Sequence, residues 1–300
     1  MMRVASVAVQ RCPVCPSTSL RHHRPSRQTR SQILACRKCG VHFLAEMPAF
    51  EQLVADQDCD AEFYSGYVNL LREGAVHAGH TDALGRLAGL IGGAEGRSLY
   101  DVGAGAGGFL ASARDAGFRP AGNELSSGAI ELAKEKYGLE LQLGDLSTIE
   151  AGRHDAATMW CVLAHVPDGN QLLADVFDLL KPGGVMFLQT PRWSRMDKAG
   201  MLAHRVSRGR MTLITDRRLA WHHMTLHTAT SARHALERQG FEVVSIEPRV
   251  RYSLQSESYL GSLKASPRLA ARLAKPIDRL LERGLFFRNV LDVYARRPAR

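Results

Sequence analysis

Four cysteines stand in two Cys-x-x-Cys turns, Cys12-Pro-Val-Cys15 and Cys36-Arg-Lys-Cys39. At the tips of two hairpins such turns present four thiolates in the tetrahedral array that Zn²⁺ takes, and Gly40 allows the positive φ that the second turn needs. The spacing predicts a structural zinc ribbon over residues 8–46, folded by its metal because so short a stretch buries little apolar surface. With four cysteines correctly placed, His22 and His23 are expected in an exposed loop. Further along, Asp101-Val-Gly-Ala-Gly-Ala-Gly-Gly108 is a glycine run that lets backbone amides at a helix start come close to a ligand. Arg119-Pro-Ala-Gly-Asn-Glu124 then ends in a carboxylate, roughly 20 residues downstream, where such folds meet ribose hydroxyls. The chemistry is nucleoside binding. The glycines satisfy both Gly-x-Gly-x-x-Gly (Gly103, Gly105, Gly108), as for NAD, and Gly-x-Gly-x-Gly, as for S-adenosylmethionine, so their spacing leaves both open.

The elements that position these residues follow from hydrophobic pattern. From Ser98 the chain alternates strand and helix, which predicts an α/β, doubly wound (Rossmann-like) parallel sheet over residues 96–300. Ser98–Val102 reads as its first strand, Phe109–Gly117 as the helix after the glycines, and Arg119–Glu124 as the second strand. Residues 47–95 read as a helical connector, with an aromatic cluster at Phe63–Tyr67, leucines at helical spacing over Thr81–Ile91, and closure at Gly92-Gly93 and Gly96. Near the end, Pro267–Arg283 sets Leu269, Leu273, Ile277, Leu280 and Leu281 on one helical face among Arg268, Arg272, Lys275, Arg279 and Arg283. Pro276 is expected to kink it. This basic helical insertion, residues 257–286, precedes a last strand, Asn289–Tyr294.

Three hundred residues suffice for one sizeable core and a small added module. No apolar run approaches the roughly 20 residues of a transmembrane helix, and Met1–Arg11 has no secretory pattern. A cytoplasmic enzyme is expected, with knuckle cysteines as metal ligands rather than disulfides and with Cys59 and Cys161 as free thiols. The net charge of +9 is unevenly spread: residues 1–45 carry +8, residues 46–190 carry −12 and residues 191–300 carry +13. Basic ends around an acidic middle fit an anionic partner, whether nucleotide, polyanionic glycan, nucleic acid or anionic lipid; the plainer reading is a set of solvated arginine-rich faces.

In combination the motifs name a family. The two knuckles, Phe63–Tyr67, Asp101–Gly107, Gly122-Asn-Glu124-Leu-Ser126, Gly144-Asp145-Leu146, His154–Asp168, Leu179-Leu-Lys-Pro-Gly-Gly184 and Gly240-Phe241-Glu-Val-Val244 span almost the whole chain. Together they resemble a class I S-adenosylmethionine-dependent methyltransferase of the bacterial group with an N-terminal zinc ribbon, which includes relatives of sugar C-methyltransferases. The resemblance implies a seven-stranded methyltransferase sheet closed by an antiparallel last strand. It also implies S-adenosyl-L-methionine as cofactor, with Asp101, Gly103, Ala104, Gly105 and Gly107 around the methionine portion, Glu124 and Leu125 at the ribose, Asp145 with Leu146 at the adenine, and Trp160 to His165 along the reacting face.

One departure bears on chemistry. Relatives carry acids in a Trp-Asp-Val-Leu-Glu-His stretch, where this chain has Trp160-Cys-Val-Leu-Ala-His165. Two carboxylates are missing near the acceptor, which leaves histidine as proton acceptor: His165 first, then His223 and His227. The expected activity is methyl transfer to O or C of an anionic small molecule or saccharide, in a deep pocket under residues 191–227 where Arg192, Arg195, Arg205, Arg208 and Arg210 would meet phosphates. The alternative is an RNA-modifying or nucleic-acid-binding protein that grips through ribbon and tail. Against it, no aromatics alternate with Arg21, Arg24, Arg27 and Arg30 to stack bases. Residues 267–283 suit peripheral contact with a membrane surface, and a helical cap on the core is the duller account.

Overall fold

The computed structural model describes residues 6–25, 30–48, 61–220, 223–252, 254–262 and 265–299. Cys59 and Arg27 lie outside the described residues, as do the side chains of Phe63, Tyr64 and Tyr67.

The head is all strand: β1 (Ser6–Ala8), β2 (Leu20–His22), β3 (Ile33–Cys36), β4 (His42–Leu44) and β5 (Glu46–Pro48). β1 pairs antiparallel with β5, while β2, β3 and β4 form an antiparallel meander. Gly40, at φ 78°, makes the turn from β3 to β4 and donates its N–H to Cys36 O at 3.0 Å. Two helices follow, α1 (Ala61–Asn69) and α2 (Glu73–Ile91). α2 begins eight residues before the leucine spacing does, because its first half buries Gly79 rather than large apolar side chains. It ends as expected, with Gly92 left-handed at φ 79° and its N–H on Ala88 O.

Beyond α2 the alternation is β6 (Ser98–Val102), α3 (Gly108–Asp115), β7 (Arg119–Glu124), α4 (Ser127–Tyr137), β8 (Gln142–Leu143), β9 (His154–Trp160), α5 (Gly169–Leu179) and β10 (Leu180–Pro191). Then come α6 (Arg195–Val206), α7 (Leu213–Arg218), β11 (Thr225–Leu226), α8 (Ala229–Arg238), β12 (Glu242–Arg249), α9 (Ser256–Ser262), α10 (Pro267–Glu282) and β13 (Val290–Arg296). The main sheet has the order β12-β13-β10-β9-β6-β7-β8. β13 runs antiparallel to both neighbours, as the final strand was expected to, and the pairs from β10 through β8 are parallel. Helices cover both faces, so the central strands read as continuous apolar runs: Leu99, Ala156, Ala157, Met159 and Val185 to Leu188 are fully buried.

The head does not keep a core of its own. Cys12, Val14, Cys15, Cys36, Cys39 and Phe43 belong to one continuous apolar cluster with Met159, Leu163, Leu173, Met224, Leu226 and Leu236. The reason is β11, which pairs antiparallel with β4 (Thr225 with Phe43, Leu226 with His42) and gives the head a fourth strand from the far half of the chain. That addition covers an edge whose backbone groups would otherwise need water. Side-chain donors from the second half also satisfy carbonyls of the cysteine turns: Asn170 Nδ2 to Pro13 O, Arg238 Nη1 to Val14 O at 2.8 Å, and Thr228 Oγ1 to Cys39 O at 2.7 Å.

Two predictions follow from this packing. Cys36→Ser, or chelation of the metal, is expected to lower a single calorimetric unfolding transition of the whole chain by about 5 °C or more; two transitions with the upper one unmoved would contradict the shared core. The second concerns pH. Burial lowers the imidazoles of His80 and His227 from 6.5 to about 4. Between those values the unfolded chain takes up protons that the folded chain refuses, so stability is expected to fall as pH drops through that window. His80→Leu should flatten the slope measured by denaturant titration, and an unchanged slope would show that His80 does not contribute.

Candidate functional site

The carboxyl edge of the main sheet holds the glycine turn. Gly103, Gly105 and Gly107 all have positive φ, at 69°, 54° and 74°. Side chains are shut out there by contact as well: a Cβ on Gly103 would sit 2.7 Å from Val162 Cγ2, and one on Gly107 2.9 Å from Leu139 Cδ1. Ala104 N–H donates to Asn123 O at 2.9 Å, pinning the turn to β7. Gly107 is the N-cap of α3 and no side chain caps that helix, so its first amides face the turn in the manner of an anion or nucleoside cradle.

Glu124, the last residue of β7, organises this edge. Its Oε2 accepts from Gly105 N at 2.8 Å, and Oε1 accepts from Leu125 N at 2.8 Å and Ser126 N at 3.1 Å. A carboxylate has about four acceptor sites, so a further one stays open for a hydroxyl. Asp101 lies beneath the turn, 2% exposed, accepting from Thr158 Oγ1 at 2.6 Å. Burial, with a smaller push from Glu124, lifts its carboxyl to about 8. Through Thr158 it joins β6 to β9. Asp145 caps the 3₁₀ turn Leu146–Thr148, its Oδ1 accepting from Ser147 N at 3.0 Å and Ser147 Oγ at 2.6 Å. Gly144 N–H reaches Glu124 O at 3.0 Å, which brings the Asp145 loop to the end of β7. Leu146 is buried. The Trp160 ring packs against Phe187, Phe109 and His80, with centroids 4.7, 5.1 and 5.3 Å away, and its buried Nε1–H has no partner among the described residues.

The histidines separate into two settings. His165 and His223 meet edge to face, ring centroids 4.8 Å apart at 66°. His165 N–H donates to Val162 O at 2.8 Å, and Val162 is the residue that packs on Gly103, so the loop carrying His165 touches the glycine turn. Met224 N–H donates to Ala164 O at 2.8 Å and Leu44 N–H to Met224 O at 3.1 Å, which places His223 between the ribbon and the loop after β9. His227, by contrast, is 3% exposed, bonded to Ser231 Oγ at 3.2 Å, and lines a wall with Pro13, Val14 and Leu163. It is a packed histidine of the ribbon interface. Cys161, where relatives carry an acid, sits at φ 62° directly after β9. Its Sγ donates to Gln189 Oε1 at 3.5 Å, and Gln189 Nε2 donates to Asp292 Oδ1 at 3.0 Å. Burial raises the thiol to about 12, so it is no thiolate nucleophile.

In the ribbon the four Sγ atoms lie within 4.8 Å of one another, with Cys12 to Cys39 at 3.6 Å and Cys15 to Cys36 at 3.7 Å. A tetrahedral site with Zn–S of about 2.3 Å has sulfur–sulfur edges near ~3.8 Å, so the donor set fits that ion. Backbone N–H groups of Val14, Cys15 and Lys38 point at Sγ atoms from 3.4 Å, as thiolates require.

Two features escape the sequence. His80 on α2 lies edge-on to Phe109 and Trp160 and holds Ser112 Oγ at 3.3 Å, in a stretch without apolar spacing to mark it. The arginines expected in a pocket are elsewhere: Arg195, Arg205, Arg208 and Arg210 are exposed and Arg192 is half-buried. Under α6 lies instead an apolar chamber of about 140 Å³ walled by Met196, Tyr252, Tyr259, Ile277, Leu281 and Phe286.

Comparison with known proteins agrees with the glycine-turn geometry. Residues 76–246 match the family described as methyltransferase domain. The ubiquinone biosynthesis O-methyltransferase of Bordetella avium is 29% identical over 190 residues, covering 59% of this chain and 78% of that protein. The protein of the same name from Bordetella bronchiseptica is 30% identical over 124 residues, covering 38% of this chain and 51% of its own length. Among solved structures, a chain of the complex between the Haloferax volcanii Trm112 methyltransferase activator and a methyltransferase is 17% identical, with a TM-score of 0.53, covering 80% of this chain and 95% of that one, a likeness of fold alone. With more than half of its residues inside the family match and its strands in the order found, this chain belongs to the methyltransferase domain family and is a class I S-adenosylmethionine-dependent methyltransferase.

Proposed function

We propose that the chain methylates an oxygen of an anionic small molecule or saccharide, with His165 and His223 on the acceptor side and a structural zinc in the four-cysteine site. The carrying observation is the contact chain Gly103–Val162–His165–His223, which sets an imidazole pair against the glycine turn. Oxygen as acceptor atom is favoured by the O-methyltransferases to which the chain is similar. S-adenosylmethionine, when bound, brings an already activated methyl group, so alignment accounts for much of the catalysis. In this reading Gly103, Gly105 and Gly107 surround the methionine portion, Glu124 accepts from the ribose diol through its open acceptor site, and Asp145 with Leu146 borders the adenine. A hydroxyl acceptor must lose its proton as the methyl transfers. No carboxylate stands at positions 161 to 165 to take it, and imidazole is the side chain whose ordinary titration lies nearest neutral pH. His227, packed against the ribbon, is left without a part in the chemistry.

Two measurements test this. By calorimetry, Glu124→Ala should weaken both the methyl donor and its demethylated product by roughly 1–3 kcal/mol, and Gly103→Ala should abolish binding. Tight NAD binding with no response to the methyl donor would overturn the cofactor assignment. Once an acceptor is in hand, His165→Gln and His223→Gln should each slow transfer by ~10²–10⁴-fold with donor affinity intact, while His227→Gln should act on stability. Losses of only a few-fold in both would remove the histidines from the chemistry.

A further inference from the structure

The segment between β12 and β13 leaves the main sheet at the same edge as the glycine turn, since β12 is parallel to β10 and both are antiparallel to β13. It contributes α9 and α10. The inner face of α10 is occupied: Ala270 is buried, and Ile277 and Leu281 line the apolar chamber with Tyr252, Tyr259 and Phe286. Of its acids, Asp278 turns inward and accepts from Ser256 Oγ at 2.6 Å, with Arg72 3.7 Å away, while the exposed Glu282 lies 4.0 Å from the same arginine.

The exposed side differs, with the cations of α10 opposite that inner face and three leucines on the shoulder between. Leu269, Leu273 and Leu280 form a ridge on the shoulder of the buried face, yet are 47%, 38% and 40% exposed, and Leu285 and Phe287 beyond the helix are exposed as well. Along its flank stand Arg268, Arg272, Lys275, Arg279 and Arg283, all exposed and none in an ion pair among the described residues. A ridge of leucines bordered by five cations outside any ion pair among the described residues is the arrangement of a helix that lies in the plane of an anionic interface. No helix among the described residues is long and apolar enough to cross a membrane, so the contact is with a surface. The chamber behind the ridge has an apolar lining and one buried hydroxyl, Tyr252 Oη, with no partner among the described residues. The Tyr252 ring meets Tyr259 and Phe286 edge to face, with ring centroids 5.6 and 5.2 Å away. Such a lining suits an apolar chain or ring bearing one polar group.

We propose that the leucine shoulder and cationic side of α10 dock on an anionic lipid bilayer and that the chamber on its inner face receives the apolar part of an amphiphilic acceptor held in that bilayer. The acceptor half rests on the methyltransferase reading of the carboxyl edge; the docking half does not.

Cosedimentation of the full chain with vesicles of phosphatidylcholine, with and without phosphatidylglycerol, tests it. Binding is expected only with the anionic lipid and should weaken as salt rises. L269Q/L273Q/L280Q should bind those vesicles at least ~10-fold more weakly, and R272Q/R279Q should also lose binding, both with calorimetric affinity for S-adenosylmethionine unchanged. As a variant that keeps the ridge apolar, Leu273→Trp should show a blue-shifted emission on anionic vesicles and none on neutral ones. Vesicle binding unaffected by the leucine substitutions, or no binding by the wild-type chain while single-stranded RNA binds, would overturn the proposal. Loss of methyl-donor binding in the wild-type chain would instead strike the cofactor reading and leave the docking result standing.

Discussion

Two residue pairings, Thr225 with Phe43 and Leu226 with His42, join the head to the second half of the chain by backbone, and the proposed acceptor side of the site is built on them. They fix the segment that carries His223. From there, Met224 passes one hydrogen bond to Ala164 and receives one from Leu44, so the loop after β9 and the ribbon share a single spacer. The stack of His42 on Trp193, with ring centroids 3.5 Å apart, repeats the connection at the loop after β10. Under the proposed function, a metal in the four-cysteine site would couple head folding to the placement of His223.

The cofactor side is arranged by a division between two acids. Asp101 and Glu124 lie near the carboxyl ends of successive strands, and the Glu124 carboxylate adds a smaller push to the burial that raises the Asp101 carboxyl. Asp101 is buried and accepts from Thr158, while Glu124 accepts from three backbone amides. Those amides belong to the glycine turn and to the start of α4. The carboxylate that is read as a ribose ligand is also the device that shapes the turn.

Much of this was legible in the sequence. β6 and β7 fall on the residues expected, since buried parallel strands bounded by glycine leave little freedom in register, and Gly40 and Gly92 take the left-handed turns assigned to them. The antiparallel last strand came from the family resemblance. What escaped was tertiary. A two-residue strand such as β11 has no periodicity to announce it, so the merging of ribbon and sheet cores could not be read from spacing. His227 looked like its neighbour His223 until burial separated them. The arginines of 192–210 were expected in a pocket on charge alone, and charge does not report which face of α6 turns outward. In α10 the helix runs on through Pro276, whose missing N–H falls on an exposed turn where water can meet the orphaned carbonyl.

The coupling of head and acceptor wall is open to direct measurement by hydrogen exchange on the zinc-loaded chain before and after chelation. Loss of the metal is expected to strip protection from Met224, Thr225 and Leu226 and from the loop at 161–168 together with the ribbon strands. Loss confined to residues 9–47, with the 161–168 and 223–228 amides as protected as before, would contradict it and return the ribbon to the status of a separate staple.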